Sequence, residues 1–377
     1  MDLVTPTDRF AWVVARDAFR IEVRADRSDV GGLLAHALGA HAQVRAADPA
    51  EGDGPGWTVR VLASDRYDHL VARLEAEATP QAGDEALARY WRNDFESLRL
   101  GRSGGVDAVR HLTPFAAVTL FDGAARTLSY VHPAAEPLYL PHLEHLVTHV
   151  LRLDGWARGL VDVHAAFVRY RGKGLAIIGP KRAGKTSLAM HFLARGADLL
   201  GSDMAQVQAT DRGALEAFSI PHLCRITPET VQDNRWLTTT LGGAGRGAGA
   251  HVQGPVHAYG KYEMYDPWLD EMLQRPVGAK AMTVDALLFP RFDAASPRQA
   301  LVAVPAEEGM GRLLTSIRHD RPLADWLPFD LGDRRRAEAK LEAWAEGSGA
   351  YPPSFEFGFG REASLVWDET DAMIDRL

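Results

Sequence analysis

Among 377 residues the chain has one cysteine, Cys224, and two asparagines, Asn93 and Asn234. A single thiol excludes an internal disulfide framework and any multi-cysteine metal site. Neither asparagine precedes a lysine, so the Asn-Lys-x-Asp signature that reads guanine in GTPases is absent. The Leu-Ser-Gly-Gly signature of transport ATPases is missing, as is an apolar strand ending in Asp-Glu. No apolar run approaches the roughly 18 residues of a spanning helix. The start, Met1-Asp2-Leu3-Val4-Thr5-Pro6, lacks the basic-then-apolar order of a signal peptide. No membrane partner and a cytoplasmic location are therefore expected. An excess of positive charge is lacking too: 42 Lys and Arg stand against 50 Asp and Glu, a net charge of −8. That balance argues against a nucleic-acid partner, which would draw on clustered cations.

What is present reads as globular, with 46% hydrophobic and 24% charged residues. The length suits two domains, divided here as 1–155 and 156–377. In the first, Phe19-Arg20-Ile21-Glu22-Val23-Arg24 and Trp57-Thr58-Val59-Arg60-Val61-Leu62 alternate as half-buried strands do. Ala116 to Phe121 and Thr127 to Val131 predict a hairpin with a five-residue loop. Residues 141–154 predict a helix with Leu143, Leu146, Val147, Val150 and Leu151 on one stripe and His142, His145 and His149 on a polar face. No acid or cysteine at a matching offset completes a metal site with these histidines. This half carries no catalytic signature.

The second half does. Gly179-Pro180-Lys181-Arg182-Ala183-Gly184-Lys185-Thr186 spells Gly-x4-Gly-Lys-Thr between the apolar run Leu175 to Ile178 and a helical pattern opening with Ser187-Leu188. In that setting backbone N–H groups and a helix N-terminus face a polyphosphate, which implies ATP with Mg²⁺. Gly179, Arg182, Ala183, Gly184, Lys185, Thr186 and Ser187 are the candidate nucleotide contacts. Lys185 is expected on the β- and γ-phosphates and Thr186 on the metal. Lys181 and Arg182 either touch phosphate or point into water, the ordinary place of a charged loop residue. Asp203 ends the next predicted strand, where it either meets the same Mg²⁺ or caps a turn.

His164 sits in the apolar stretch Val161 to Val168, where the default is a hydrogen-bonded core histidine. Arg291, at the end of Leu287-Leu288-Phe289, and Lys261, in Gly260-Lys261-Tyr262-Glu263-Met264-Tyr265, are the candidate cations for a transferring group, with Arg225 behind them. Each has an ordinary reading as a surface charge. Leu241 to Ala250 is the one low-complexity segment, glycine-rich, and serves as a linker or as a lid. Residues 334–346 predict a helix whose basic run Arg334-Arg335-Arg336 forms a solvated face, followed by a strand through Phe355, Phe357 and Phe359.

Val161-Asp162-Val163-His164-Ala165, Gly172-Lys173-Gly174, the loop 179–186, Arg195-Gly196-Ala197 and Ser202-Asp203 together resemble the core of the HPr kinase/phosphorylase superfamily. The resemblance is strong over about 160–205 and thinner beyond. It implies an α/β (α+β) fold with a C-terminal kinase domain like that of HPr kinase and phosphoenolpyruvate carboxykinase, beside a β-rich α+β N-terminal domain. It also implies an ATP-dependent kinase acting on a hydroxyl of a peptide, protein or small molecule, and places His164 near the γ-phosphate and Asp203 on the metal. Homo-oligomerisation is left open.

One departure matters. The family usually has two consecutive Asp residues where this chain has Ser202-Asp203, and the first is the one assigned to deprotonating the acceptor. A serine hydroxyl is a poor general base. His164, an acid elsewhere such as Glu263, or an acceptor needing little base are the open alternatives. A nucleotide-sensing module without turnover is the competing function.

Overall fold

Alternation of buried and half-buried residues carries β2 (Phe19–Ala25), where Phe19, Ile21, Val23 and Ala25 face inward and Arg20, Glu22 and Arg24 do not. This is the expected strand. The computed structural model describes residues 9–16, 19–39, 42–48, 56–79, 96–113, 115–138, 140–220, 224–234, 236–239, 262–264, 266–293, 300–317, 332–347, 351–360 and 367–377. The chain is mixed α and β in several sheets and forms two units, residues 1–151 with 319–331, and residues 152–318 with 332–377. No helix among the described residues is long and apolar enough to cross a membrane.

The first unit is built on an eight-stranded sheet. β1 (Phe10–Arg16), β2, β3 (Gln43–Ala46), β4 (Trp57–Ser64), β5 (Glu96–Ser103), β6 (Val106–Thr113), β7 (Ala117–Asp122) and β8 (Thr127–Pro133) lie in the order β3-β1-β2-β4-β8-β7-β6-β5. Helix α1 (Val30–Leu38) links β2 to β3, and Gly31 lies against the Trp12 ring of β1. Helix α2 (Tyr67–Glu77) lays Leu70, Val71 and Leu74 on Leu62, Val118, Leu120 and Val131. The β7–β8 hairpin forms as predicted, but Asp122 pairs with Thr127 and shortens the loop to Gly123–Arg126. The Asp122 carboxylate accepts from Ala125 N–H at 2.9 Å and tightens that turn.

Helix α3 (Leu140–Ala157) buries the whole stripe Leu143, Leu146, Val147, Val150 and Leu151. The polar face expected beside it is corrected in one respect: His149 is buried as well. Burial, not solvation, is what that position received. His142 and His145 have side chains outside the described set.

In the second unit a six-stranded sheet runs in the order β12-β10-β11-β18-β20-β19. Its members are β10 (Ala165–Tyr170), β11 (Lys173–Ile178), β12 (Asp198–Gly201), β18 (Ala286–Phe292), β19 (Ala300–Val304) and β20 (Ser354–Phe359). β10 and β11 are joined by Arg171 and Gly172, both at positive φ (53° and 79°), the two-residue turn that suits the twist of a tight hairpin. β11, β18 and β20 are mutually parallel. β10 runs against both β11 and β12. The C-terminal ends of β11, β12, β18 and β20 and the start of β10 therefore share one edge.

Parallel strands covered on both faces read as apolar runs, and both faces here are covered. One packs against α4 (Lys185–Ala194) and α9 (Trp367–Ile374) through Leu188, Phe192, Trp367 and Ile374. The other packs against β13 (Ala205–Ala209), β14 (Leu215–Ser219), α7 (Ala306–Thr315) and α8 (Gly332–Gly347) through Val207, Ala217, Leu313 and Leu341. β13 and β14 belong to a four-stranded sheet, β17-β14-β13-β9, with β9 (Val161–Val163) and β17 (Ala281–Thr283). The basic run on α8 is not wholly a solvated face: Arg334 is buried, bonded to Glu338 at 2.7 Å and set over the Trp156 ring. The Glu338 carboxylate and, more weakly, the aromatic face offset part of the hydration its guanidinium loses.

Candidate functional site

The loop Gly179–Gly184 leaves β11 at the shared edge and opens α4. Ala183 N–H donates to the Pro180 carbonyl at 3.2 Å and folds the loop into a turn. Gly184 then takes φ 95°, and a Cβ there would stand 2.8 Å from the Phe359 ring, so both conformation and space require glycine. As N-cap it supplies no side-chain acceptor, and the first N–H groups of α4 have no such cap. These are the donors that a helix start presents to an anion.

Lys185 is buried, with Nζ donating to the carbonyls of Gly179 at 2.8 Å and Pro180 at 3.2 Å. Those acceptors offset the cost of a buried ammonium and hold it against the loop. Thr186 is half-buried beside it, and Lys181 and Arg182 are exposed. Ser187 is turned inward, its hydroxyl 3.2 Å from that of Thr230. Thr230 lies on α5 (Pro228–Asp233), whose N-cap Thr227 accepts from Thr230 N–H at 3.2 Å. Hydrogen bonds to its own main-chain N–H and to Thr227 hold the Glu229 carboxyl below the usual carboxylate range, with the Arg182 guanidinium adding to the effect.

His164 was read as lying within one apolar strand. It falls instead at the break between β9 and β10, which belong to different sheets. Its main-chain N–H donates to Ser316 at the end of α7 at 2.9 Å. Its Nδ1 lies 2.9 Å from the Asp203 carbonyl and 3.3 Å from Asp203 Oδ1. A carbonyl only accepts, so Nδ1 carries the hydrogen and Nε2 is the accepting nitrogen. Both side chains are about one-third exposed, at 29% and 31%.

Ser202 and Asp203 alternate in direction: Ser202 is 5% exposed, and its hydroxyl finds no hydrogen-bond partner among the described residues. Arg291 is exposed near the end of β18, which runs parallel to β11 with Leu288 opposite Ile177. The fold thus brings Gly179 to Ser187, His164, Asp203 and Arg291 to one edge. Lys261 and the glycine-rich segment lie outside the described residues, as does the side chain of Glu263. The Glu263 backbone is paired opposite Arg225 between β16 (Tyr262–Met264) and β15 (Cys224–Ile226).

Sequence reasoning passed over α5 and its hydroxyl contact to Ser187. The signal was legible, since Thr227-Pro228-Glu229 is an N-cap followed by proline at the first helical position. Thr186 and Asp203 contribute a hydroxyl and a carboxylate, an all-oxygen donor pair. Among the described residues no group of three or more His, Cys, Asp or Glu gathers as for a metal. The chain matches no protein-family model and no curated protein.

Proposed function

We propose that the chain is an ATP-dependent phosphotransferase of the HPr kinase-like type, moving the γ-phosphoryl group to a hydroxyl of a peptide, protein or small-metabolite acceptor. One observation carries this reading: the Gly-x4-Gly-Lys-Thr loop opens α4 at the same sheet edge where His164 contacts Asp203. The loop N–H groups and Lys185 bind and orient the β- and γ-phosphates. Thr186 and Asp203 would hold Mg²⁺, a hard cation that takes one or two carboxylates together with phosphate oxygens. Mg²⁺ supplies charge neutralisation on those oxygens. Arg291 adds positive charge at the same edge.

In the transfer, the acceptor oxygen forms its bond to the γ-phosphorus while the bond to the β–γ bridging oxygen breaks, and ADP leaves with that electron pair. The acceptor proton goes to Nε2 of His164, the nitrogen that the Nδ1 contact leaves as acceptor. Ser202 takes no part as a base. Its buried hydroxyl favours the second reading, a nucleotide-sensing module without turnover. Incubation with γ-labelled ATP, Mg²⁺ and candidate hydroxyl acceptors separates the two. Label on the acceptor, or steady ADP release, supports transfer; tight ATP binding with neither supports sensing.

A further inference from the structure

Asp285 and Asp270 of α6 (Asp266–Leu273) each accept a main-chain N–H, from Gly174 at 2.7 Å and from Val277 at 2.8 Å, and neither keeps a buried oxygen without a partner. Asp26 does. Its Oδ2 accepts from Ala63 N–H at 3.0 Å, while Oδ1 is buried with no hydrogen-bond partner among the described residues. The neighbouring Arg27 is engaged elsewhere, with Nε and Nη2 on the Asp29 carboxylate at 3.0 and 2.5 Å. An acceptor shielded from water and left unpaired is costly, so the position calls for a donor.

Asp26 also stands at a junction of the fold. β2, β4 and β8 are mutually parallel, and Asp26 follows the last residue of β2. After β2 the chain passes through α1 to β3, beyond β1, whereas after β4 it passes through α2 toward β5 at the opposite end of the sheet. The two helices cover opposite faces. Gly31 of α1 lies against Trp12, which is in register with Val23 and through it with Val59, whereas α2 lies on Leu62, three positions on and so facing the other way. Neighbouring parallel strands whose connections part in this manner leave a crevice outside their carboxyl ends, the usual place of a ligand in such sheets.

A second unpartnered acceptor flanks that crevice from β8. His132 is opposite Ala63 in the register, on the α1 face, and is 2% exposed. Its Nδ1 donates to the Pro133 carbonyl at 3.0 Å, which turns the ring to the carboxyl end of the strand and leaves Nε2 as the acceptor. Nε2 too is buried without a partner among the described residues. Burial holds the imidazole below its ordinary range and keeps it neutral at physiological pH. Ala63 lies between the two groups, bonded to one and paired with the other, is half-buried, and offers only a methyl group.

We propose that this edge of the first unit binds a primary ammonium group, held by Asp26 and His132. Both unpartnered atoms accept, so the ligand donates, and an ammonium brings three N–H donors together with the charge that complements Asp26. The connections themselves favour a cation over a phosphate, since residues 26–29 and 65–68 carry Asp26, Asp29, Asp65 and Asp68 against Arg27 and Arg66. Free α-amino acids and polyamines share the group. In an amino acid the carboxylate meets the first N–H groups of α1 and α2, whose N-cap residues make no side-chain cap.

Titration calorimetry of the full chain with the common α-amino acids, putrescine and spermidine tests this. At least one compound should bind saturably, with a dissociation constant on the order of 1 mM or tighter, and preference for an amino acid or for a polyamine identifies the source. Asp26→Asn keeps the Ala63 contact through its amide oxygen but turns an NH2 donor toward the ligand. Affinity should fall about tenfold or more, with the thermal midpoint unchanged. The N-trimethyl derivative of the bound compound keeps the charge and donates nothing, so it should fail to bind the parent chain. No saturable binding by any of these compounds up to about 10 mM, parental affinity in Asp26→Asn, or equal binding of the trimethyl derivative would overturn the inference.

Discussion

His164 Nδ1 is held by the main-chain carbonyl of Asp203 at 2.9 Å, with the Asp203 carboxylate a further contact at 3.3 Å. The tautomer and the ring position are thus set by the backbone carbonyl together with the longer carboxylate contact. Substitutions at the two residues should separate.

Asp203→Asn keeps the carbonyl and the ring in place. It should lower transfer by about a hundredfold or more at saturating ATP and weaken the Mg²⁺ dependence, because charge neutralisation at the transferring group is the main catalytic effect available. Initial rates against Mg²⁺ concentration check this. An unchanged rate and Mg²⁺ curve would leave Asp203 a turn residue.

His164→Ala should lower the rate and erase the acidic limb of its pH profile, since protonating Nε2 removes the accepting lone pair. Rate–pH curves of the two proteins, measured under single-turnover conditions, decide it. A fast variant with the parent profile would assign catalysis to positioning alone.

Lys185→Ala should reduce phosphoryl transfer by a factor on the order of 100 to 1,000. The lost contacts include those to the Gly179 and Pro180 carbonyls within the loop, and circular dichroism should remain that of the parent. Full activity would reject the assignment of the loop.

Acid sensitivity should come in part from the first unit. His111 is buried, and burial pushes its imidazole down to about 3 from the ordinary 6.5. The folded state therefore binds fewer protons than the unfolded one between those values. The associated stability is complete above about 6.5 and is lost as pH falls toward 3, at about 1.4 kcal/mol per pH unit. His111→Gln should shrink the stability difference between pH 7.5 and 5.0 by about 2 kcal/mol, read from urea denaturation. An undiminished difference would place the sensitivity elsewhere.

Trp367 anchors α9, with its ring 5.0 Å from Phe192 and under the Arg195 guanidinium at 4.7 Å. Trp367→Ala should cost about 3–5 kcal/mol as a large core truncation. Because Phe192 belongs to α4, ATP affinity should fall with it. Thermal unfolding with and without Mg-ATP measures both.

Local chemistry made part of this structure legible. The alternation of β2, the apolar stripe of α3, and the strand, loop and helix around Gly179–Thr186 each depend on neighbours in sequence. The edge position of Asp203 was also open to reading, since an acid after a short apolar run ends a strand. The break at His164 was not, because the run Val161 to Val168 divides between two sheets, its first half pairing with distant β13 and its second with the adjoining hairpin strand β11 and with distant β12. The burial of Arg334 depends on Trp156, 178 positions earlier, and no local pattern contains it. The Ser187–Thr230 contact spans 43 positions and was hidden in the same way.

The placement of β20 between β18 and β19 sets an order of assembly. β19 reaches this sheet only through β20, so it joins after β20 is made, and the pairing of β20 with β18 closes a loop of more than sixty residues. Phe359, at the end of that strand, is the wall against which Gly184 is set. On the ribosome, the loop at Gly184 therefore acquires its final shape only after β20 has emerged, and a nascent chain paused before that point should be unable to retain nucleotide.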